Sequence, residues 1–594
     1  MKLSTLTDIY QKLDATTKRL EMIDILVELF ELTPLEEMRA VIYLTSGKIC
    51  ADYIGLELGF ADKMVIKAIA KSIGKAESEV NKLFKKKGDL GEVAEKLIGQ
   101  TGQQQLGAFF TPNEKSETGE LTVDDVWDIL NKIALIEGKG ANQKKTNLLL
   151  GLYSKATPIE AKYITRIVLS QLRLGIKDLT IIEALSRKYG DGKESRKIIE
   201  HAYNVTSDIG TIGDILASKG MEAIKKIEIS VGRPIRMMAA QRMPTAEEII
   251  EKLGGSCALE FKYDGERVQA HINGDGIKLY SRNLNEISEM YPDVTAALKR
   301  SLKSSQVIVE GEITAWDPDN ERLKSFQILM SRKRKYGIED AMEKIPVRVF
   351  LFDILYKDGE SLLNKSYPER RVVLESLIKD DPVIVLASRE VVSSPDEFVE
   401  YFEKAIESGC EGVMAKDIRK ETQYQAGSRG FLWIKHKFDY SSAFNDSYDF
   451  VVVGGFYGKG RRKGTLGTIL MAAYNAEEER FETVCKLGTG FTDEDLIKVT
   501  KDLMSISVEK KPKDVISKLD ADVWVVPEKV YEIQGADLSI SPVHTCALDE
   551  IKKDTGLAIR FPRFIRFRDD KKPELATTTS EVVDAFKKQR LRSG

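Results

Sequence analysis

The feature that most constrains this chain is a change in hydrophobic period near residue 220. Upstream, Leu3, Leu6, Tyr10 and Leu13, then Leu20, Ile23, Val27 and Phe30, recur at helical spacing, so each predicted helix carries one buried stripe. Thr33-Pro34-Leu35-Glu36 reads as a helix start, with Thr33 as cap, Pro34 at the first helical position and Glu36 reaching back. Segments 122–136, 157–175 and 178–190 continue the helical pattern, while the Gly- and Gln-rich stretch 99–120 reads as an exposed loop. Downstream the period drops to two. Val268, Ala270 and Ile272, then Ile277 and Leu279, flank Asn273-Gly274-Asp275-Gly276, a hairpin pattern. Strands are predicted at 307–316, 347–356 and 411–416, with helices near 287–301 and 396–408, which makes this part α+β on antiparallel sheet. Short strands at 449–460, 468–475 and 482–490, separated by Gly-rich turns, suggest a small β-barrel, and a last helix starts near Ser580. The expected architecture is multidomain: an all-α domain over 1–220, an α+β domain over 221–440 and a β-barrel domain over 441–594.

At 594 residues the chain is too long for a single core. Hydrophobic residues at 42% and charged residues at 31% are those of a globular protein, and no apolar run approaches the ~20 residues of a membrane span. The first twenty residues lack the apolar core of a signal peptide, so an intracellular protein of the cytoplasm or nucleoid, without membrane association, is expected. Cys50, Cys257, Cys410, Cys485 and Cys546 are odd in number and far apart, which suits buried reduced thiols better than disulfides or a zinc site. The formal net charge of -3 does not announce a nucleic-acid protein, but phosphate binding depends on where the cations lie rather than on their sum.

Glu260-Phe261-Lys262-Tyr263-Asp264-Gly265-Glu266-Arg267 places a lysine at the end of an apolar strand, before a charged turn and a hairpin. For a single K-x-D-G match a solvated turn lysine is as good a reading as a nucleophile. A lysine amine attacks phosphorus only when unprotonated, so a nucleophilic lysine needs burial or cationic neighbours. Lys435 and Lys437 in WIKHK alternate and therefore share one sheet face.

The ordered set KYDGER (262–267), SRN (281–283), EGE (310–312), FDIL (352–355), EGVMAK (411–416), WIKHK (433–437) and RFPRFIRFRDDK (560–571) resembles the covalent nucleotidyltransferase superfamily. Within it the chain is similar to the archaeal and eukaryotic ATP-dependent DNA ligases over essentially its whole length. The resemblance implies a helical DNA-binding domain, an adenylation domain and an oligonucleotide-binding (OB-fold) barrel. It implies nick sealing in replication, repair and recombination, with ATP and Mg²⁺ as cofactors, nicked duplex DNA as substrate, and a monomer. By it Lys262 carries AMP, Glu260 accepts from the adenine amino group and Phe352 stacks on the base, although Phe352 also reads as an ordinary core residue. Glu312 meets the ribose, Arg267, Arg282 and Arg429 complete the nucleotide site, and Glu411 is the metal-side carboxylate. Lys435 and Lys437 neutralise the α-phosphate and lower the pKa of Lys262. Arg560 to Lys571 orient pyrophosphate as the leaving group.

Two more basic runs, 331–335 and 459–463, read as loops able to meet backbone phosphates or simply as solvated loops. Gln103, Leu106, Phe109 and Phe110 match the Q-x-x-L-x-x-F-F peptide by which replication proteins dock on a ring-shaped sliding clamp of the PCNA type; one helical turn would present all three apolar groups together. The linker GRPIRMMAAQR (232–242) departs from the family's Gly-x-Pro-x-x-Pro-Met-Leu-Ala stretch. An RNA ligase or capping-type nucleotidyltransferase shares Lys262 but usually lacks the long helical region, and a non-catalytic clamp-bound scaffold would not need Lys262, Glu411, Lys435 and Lys437 together.

Overall fold

The computed structural model describes residues 1–106, 120–324, 326–332, 337–437, 447–458, 462, 464–535 and 537–592. The chain forms two compact units, one of residues 1–61 with 111–441, the other of 62–110 with 442–594.

The first unit opens with helices. Leu3–Asp14 buries Leu3, Leu6, Tyr10 and Leu13 on one face, as the spacing requires. In Arg19–Leu32 the stripe is rotated from the expected one: Met22, Ile23, Leu26, Leu29 and Phe30 are buried, whereas Leu20 is 65% exposed. Apolar residues cover so much of this helix that its own sequence permits either face, and packing against Asp178–Tyr189 selects one. Thr33 does not cap the next helix; its hydroxyl donates back to the Leu29 carbonyl at 2.7 Å and closes the helix already formed, and Pro34 leads into a single turn at Leu35–Glu37. Thr122 and Thr157 do open helices, Val123–Ala134 and Pro158–Val168, each through a reciprocal capping box. The second helix stops short of the predicted 175, because Ser170 and Arg173 adopt φ of 52° and 61°.

The expected loop at 99–120 is partly helix. In the second unit, Leu90–Leu106 runs through residues 99–106 despite Gly99 and Gly102, anchored upstream by the buried Leu90, Val93, Ala94, Leu97 and Ile98. Gln103 and Leu106 lie on that helix, and Phe109 and Phe110 lie outside the described residues.

Two sheets follow. Strands β1 (Ala239–Arg242), β2 (Cys257–Lys262), β3 (Glu266–Asn273), β4 (Gly276–Ser281), β5 (Gln306–Asp317), β6 (Arg322–Lys324), β7 (Val347–Lys357), β8 (Glu360–Ser361), β9 (Ile384–Leu386), β10 (Arg389–Val392), β11 (Gly412–Lys416) and β12 (Arg429–Lys437) divide between them. One sheet has the order β1-β12-β11-β2-β10; the other runs β4-β3-β5-β7-β8, with β6 on β5 and β9 on β7. The predicted hairpin is β3–β4, closed by Asn273 opposite Gly276. Helix Pro395–Glu407 covers the first sheet with Phe398, Tyr401 and Phe402, and Pro292–Ser301 and Tyr367–Leu377 cover the second with Val294, Leu298 and Leu374. The linker before β1 is pinned to these strands by side chains. His271 Nδ1 accepts from Gly232 N at 3.0 Å, Gln269 pairs with both backbone groups of Ile235, Tyr424 accepts from Met238 N, and Arg267 donates to Met238 O.

In the second unit, β13 (Ser447–Tyr457), β14 (Leu466–Asn475), β15 (Arg480–Leu487), β16 (Ser507–Val508), β17 (Val515–Ile516), β18 (Val523–Val525), β19 (Val530–Gln534) and β22 (Arg563–Phe567) form one sheet, and β20 (Asp537–Ser541) pairs with β21 (Gly556–Arg560). Alternation sends Phe450 and Val452 to one core and Val451 and Val453 to another, so both faces are buried. The last helix, Thr579–Arg592, adds Val582, Val583 and Phe586 to the first of these cores. Among the described residues no helix is long and apolar enough to cross a membrane.

Candidate active site

Lys262 is the final residue of β2, and Tyr263-Asp264-Gly265 then carries the chain from the first sheet to the second. That crossing is tight: a Cβ on residue 265 would lie 2.2 Å from the Ile313 carbonyl oxygen. Antiparallel pairing aligns Gly412 of β11 with Lys262 on one side and Lys437 on the other. Glu411, one residue earlier, therefore meets both lysines; its Oε2 lies 2.7 Å from Lys262 Nζ and 2.8 Å from Lys437 Nζ.

Burial opposes the charge on Glu411, yet Lys262 and Lys437 prevail and hold its carboxyl down to about 2. Burial likewise opposes charge on Lys262, but Glu411, Glu312 and Asp264 outweigh it and hold the ammonium above the ordinary lysine value. This differs from the expectation that Lys435 and Lys437 depress the pKa of Lys262: three carboxylates face it, and Lys437 spends its charge on Glu411. Lys435 is itself pushed down, first by burial and then by Lys262, Lys437, Arg429 and Arg282, which brings the exposed Arg282 and Arg429 within electrostatic reach of the cluster. Glu312, on β5 opposite Arg267, is raised to about 7, chiefly by burial. Lys262, Glu312, Glu411, Lys435 and Lys437 are thus gathered at one place.

A second group lies along β2, β7, β11 and β12. Glu260 is buried; its Oε1 accepts from the Tyr367 hydroxyl, and its Oε2 lies 2.6 Å from Lys416 Nζ. Phe352 is partly buried, edge-on to Trp433 at 6.0 Å, so it is neither a free face nor a sealed core residue. Arg267 donates to Glu310 at 2.9 Å and lies over Phe352 and Trp433. Sequence reading missed Lys416, Tyr367, Asp264 and Glu310. Lys416 had a visible signal, since it ends EGVMAK two alternations after Gly412, whereas Tyr367 comes from a helix no motif marks. Among the described residues no three His, Cys, Asp or Glu side chains are grouped so as to hold a metal ion.

Family models match three consecutive stretches: the DNA ligase N terminus over residues 2–186, the ATP dependent DNA ligase domain over 237–437 and the ATP dependent DNA ligase C terminal region over 462–571. The chain is 49% identical to DNA ligase 2 of Thermofilum pendens, covering 99% of this chain and 97% of that protein. It is 47% identical to the DNA ligase of Staphylothermus marinus, covering 99% of both. This chain belongs to the ATP-dependent DNA ligases. A solved structure described as "Pmar-Lig_Pre." shares the fold at a TM-score of 0.54 and 18% identity, covering 95% of this chain and 99% of that one. As a DNA ligase of this family the protein uses ATP to seal nicks in duplex DNA.

The ligase's remaining basic residues divide between the two units, with Arg332 in the first and the C-terminal stripe in the second. Arg560 ends β21 and lies over the Phe561 ring. Lys571 and Arg568 both reach Asp449 Oδ2, at 2.8 and 2.7 Å, and Arg566 reaches Glu532 at 2.6 Å. Of the two basic runs, Arg332 is buried and pairs with Asp293 and the Ile345 carbonyl, so it is a structural residue and not a phosphate contact. The Tyr291 ring beneath its guanidinium and the Asp293 carboxylate explain why the run's first cation turns inward. Lys333 to Lys335 lie outside the described residues, as do Lys459 to Arg461 and Lys463; Arg462 donates to the Gly488 carbonyl at 2.9 Å.

Proposed function

We propose that Lys262 is the residue that carries AMP in this DNA ligase. The observation that carries the reading is the convergence of Lys262, Glu411 and Lys437 within 2.8 Å contacts at the crossing between two sheets. Once Lys262 sheds the proton its carboxylate neighbours stabilise, Nζ attacks the α-phosphorus of ATP, an N–P bond forms and pyrophosphate leaves. The adenylate then passes to the 5′-phosphate at the nick, and the 3′-hydroxyl displaces AMP. Lys435 and Lys437 neutralise the α-phosphate, Glu260 accepts from the adenine amino group, Phe352 packs against the base, and Glu312 binds the ribose with Arg267, Arg282 and Arg429 around it. Arg560 and Lys571 orient pyrophosphate.

Glu411 is the residue that would hold Mg²⁺. Its fit rests on being an ionised carboxylate, held down to about 2, with the carboxyls of Asp264 and Glu312 beside it. Mg²⁺ takes one or two carboxylates and fills the rest of its shell with water and phosphate oxygens. Bound there it supplies positive charge to the phosphates.

The domain reading that goes with this places a DNA-gripping helical domain at 1–220, the adenylation domain at 221–440 and an OB-fold domain at 441–594, in a monomer working inside the cell in replication, repair and recombination. Gln103, Leu106, Phe109 and Phe110 tether it to a PCNA-type sliding clamp. Incubation with α-labelled ATP and Mg²⁺, followed by denaturing electrophoresis, tests the first claim: label must sit on Lys262, and label on any other residue overturns it. Phe109→Ala with Phe110→Ala should abolish clamp binding and leave clamp-independent sealing unchanged; unaltered affinity for the clamp would refute the tether.

A further inference from the structure

We propose that Lys416 is a positioning residue for base recognition, whose buried ammonium fixes the Glu260 carboxylate as an acceptor for the 6-amino group of adenine. The inference rests on the reading of Glu260 given above. Lys416 is 1% exposed, and its Nζ lies 2.6 Å from Glu260 Oε2. Around that ammonium stand Trp433, Tyr367 and Phe352, with ring centroids 4.4, 4.5 and 4.7 Å away. Three aromatic faces compensate an ammonium that water no longer reaches. The Tyr367 hydroxyl meanwhile donates to the other oxygen of Glu260, and Arg371 approaches Oε1 at 3.6 Å.

Each oxygen of the carboxylate therefore has a donor behind it, and the group cannot turn without breaking a buried contact. What remains toward the base is acceptor capacity alone, since an ionised carboxylate has no proton to give. Adenine offers an amino group there, and a 6-oxo base offers a second acceptor, which such a site repels. Phe352 ties the two halves together, because the ring proposed to pack on the base is also a wall of the lysine's cage. A role in stability alone would be weak grounds for such an arrangement, since a buried ion pair is commonly no better than apolar residues of the same volume.

The test compares lysine-nucleotide formation by the full chain from ATP and from inosine triphosphate, which has a 6-oxo group and an N1–H in place of the 6-amino group and unprotonated N1. The unaltered protein should prefer ATP by on the order of 10²-fold or more. In Lys416→Met, kcat/KM for ATP should fall about tenfold or more, mainly through KM, with little change for inosine triphosphate, so that discrimination collapses. In Glu260→Gln discrimination should also fall, and adding Lys416→Met to it should change little more, because the lysine acts through the carboxylate. That double variant buries no unpaired charge, and together with Tyr367→Phe, expected to lose a smaller part of the discrimination, it carries the test should Lys416→Met fail to fold. Discrimination retained in Lys416→Met, or additive losses in the double variant, would overturn the role of Lys416. Discrimination retained in Glu260→Gln would overturn the reading of Glu260 itself.

Discussion

Around Lys262 two ammonium groups share one oxygen of Glu411, and in the C-terminal stripe Arg568 and Lys571 likewise share Oδ2 of Asp449, but there Arg568 also pairs with the exposed Asp570 and Arg566 with Glu532. Two carboxyls, Glu411 and Asp570, are both held down to about 2, but for different reasons. At Asp570 the direct hydrogen bond from Arg568 is the main cause. At Glu411 the cost of burial is outweighed by two lysines, so its ionisation depends on both of them. A cation taken from Asp570 is replaced by water; one taken from Glu411 leaves a desolvated charge exposed to its neighbours. The comparison teaches that Glu411 is tuned by its surroundings and Asp570 by one direct contact.

The comparison is broken most severely at the nucleophile. Lys262→Ala should reduce labelling from ATP to background, yet still seal pre-adenylated nicked DNA to a measurable extent, since the covalent step is then complete; substantial labelling would remove Lys262 from the mechanism. Next in size is the buried Asp353–Arg370 pair of the first unit, joined by two 2.8 Å hydrogen bonds with both side chains at most 2% exposed. Asp353→Asn leaves the guanidinium unpaired and should cost about 3–5 kcal/mol, read as lost amide-exchange protection in β5 and β7. Lys571→Ala should slow adenylation by about 10²-fold while changing sealing of pre-adenylated nicks only a few-fold. Equal losses in both steps would show that its contact with Asp449 matters more than any leaving group. The smallest effect belongs to Arg566, 62% exposed beside Glu532: Arg566→Ala should change the second unit's stability by less than about 1 kcal/mol in thermal unfolding. Point changes are the right tool here, because Phe564, Val582, Val583 and Phe586 are core residues that a C-terminal truncation would remove along with the cations.

Much of this was legible in the residues themselves. The hairpin Glu266–Ser281 and the alternation that puts Lys435 and Lys437 on one face follow from periods that depend only on neighbours in the chain, whereas the predicted cap at Thr33 failed. Tertiary structure decided the rest. Which face of Arg19–Leu32 is buried depended on the helix packed against it, and Arg332 turned inward because Asp293 and Tyr291 wait there. The charge state of Lys262 could not be read from its motif, because burial and the carboxylates of Asp264 in the following turn, Glu312 in the middle of β5 and Glu411 just before β11 pull in opposite directions. Sequence alone determined the local elements and the order of chemical groups along them, since those interactions span a few residues; only the fold set the distances between groups far apart in the chain, and electrostatics in a desolvated site depends on those distances.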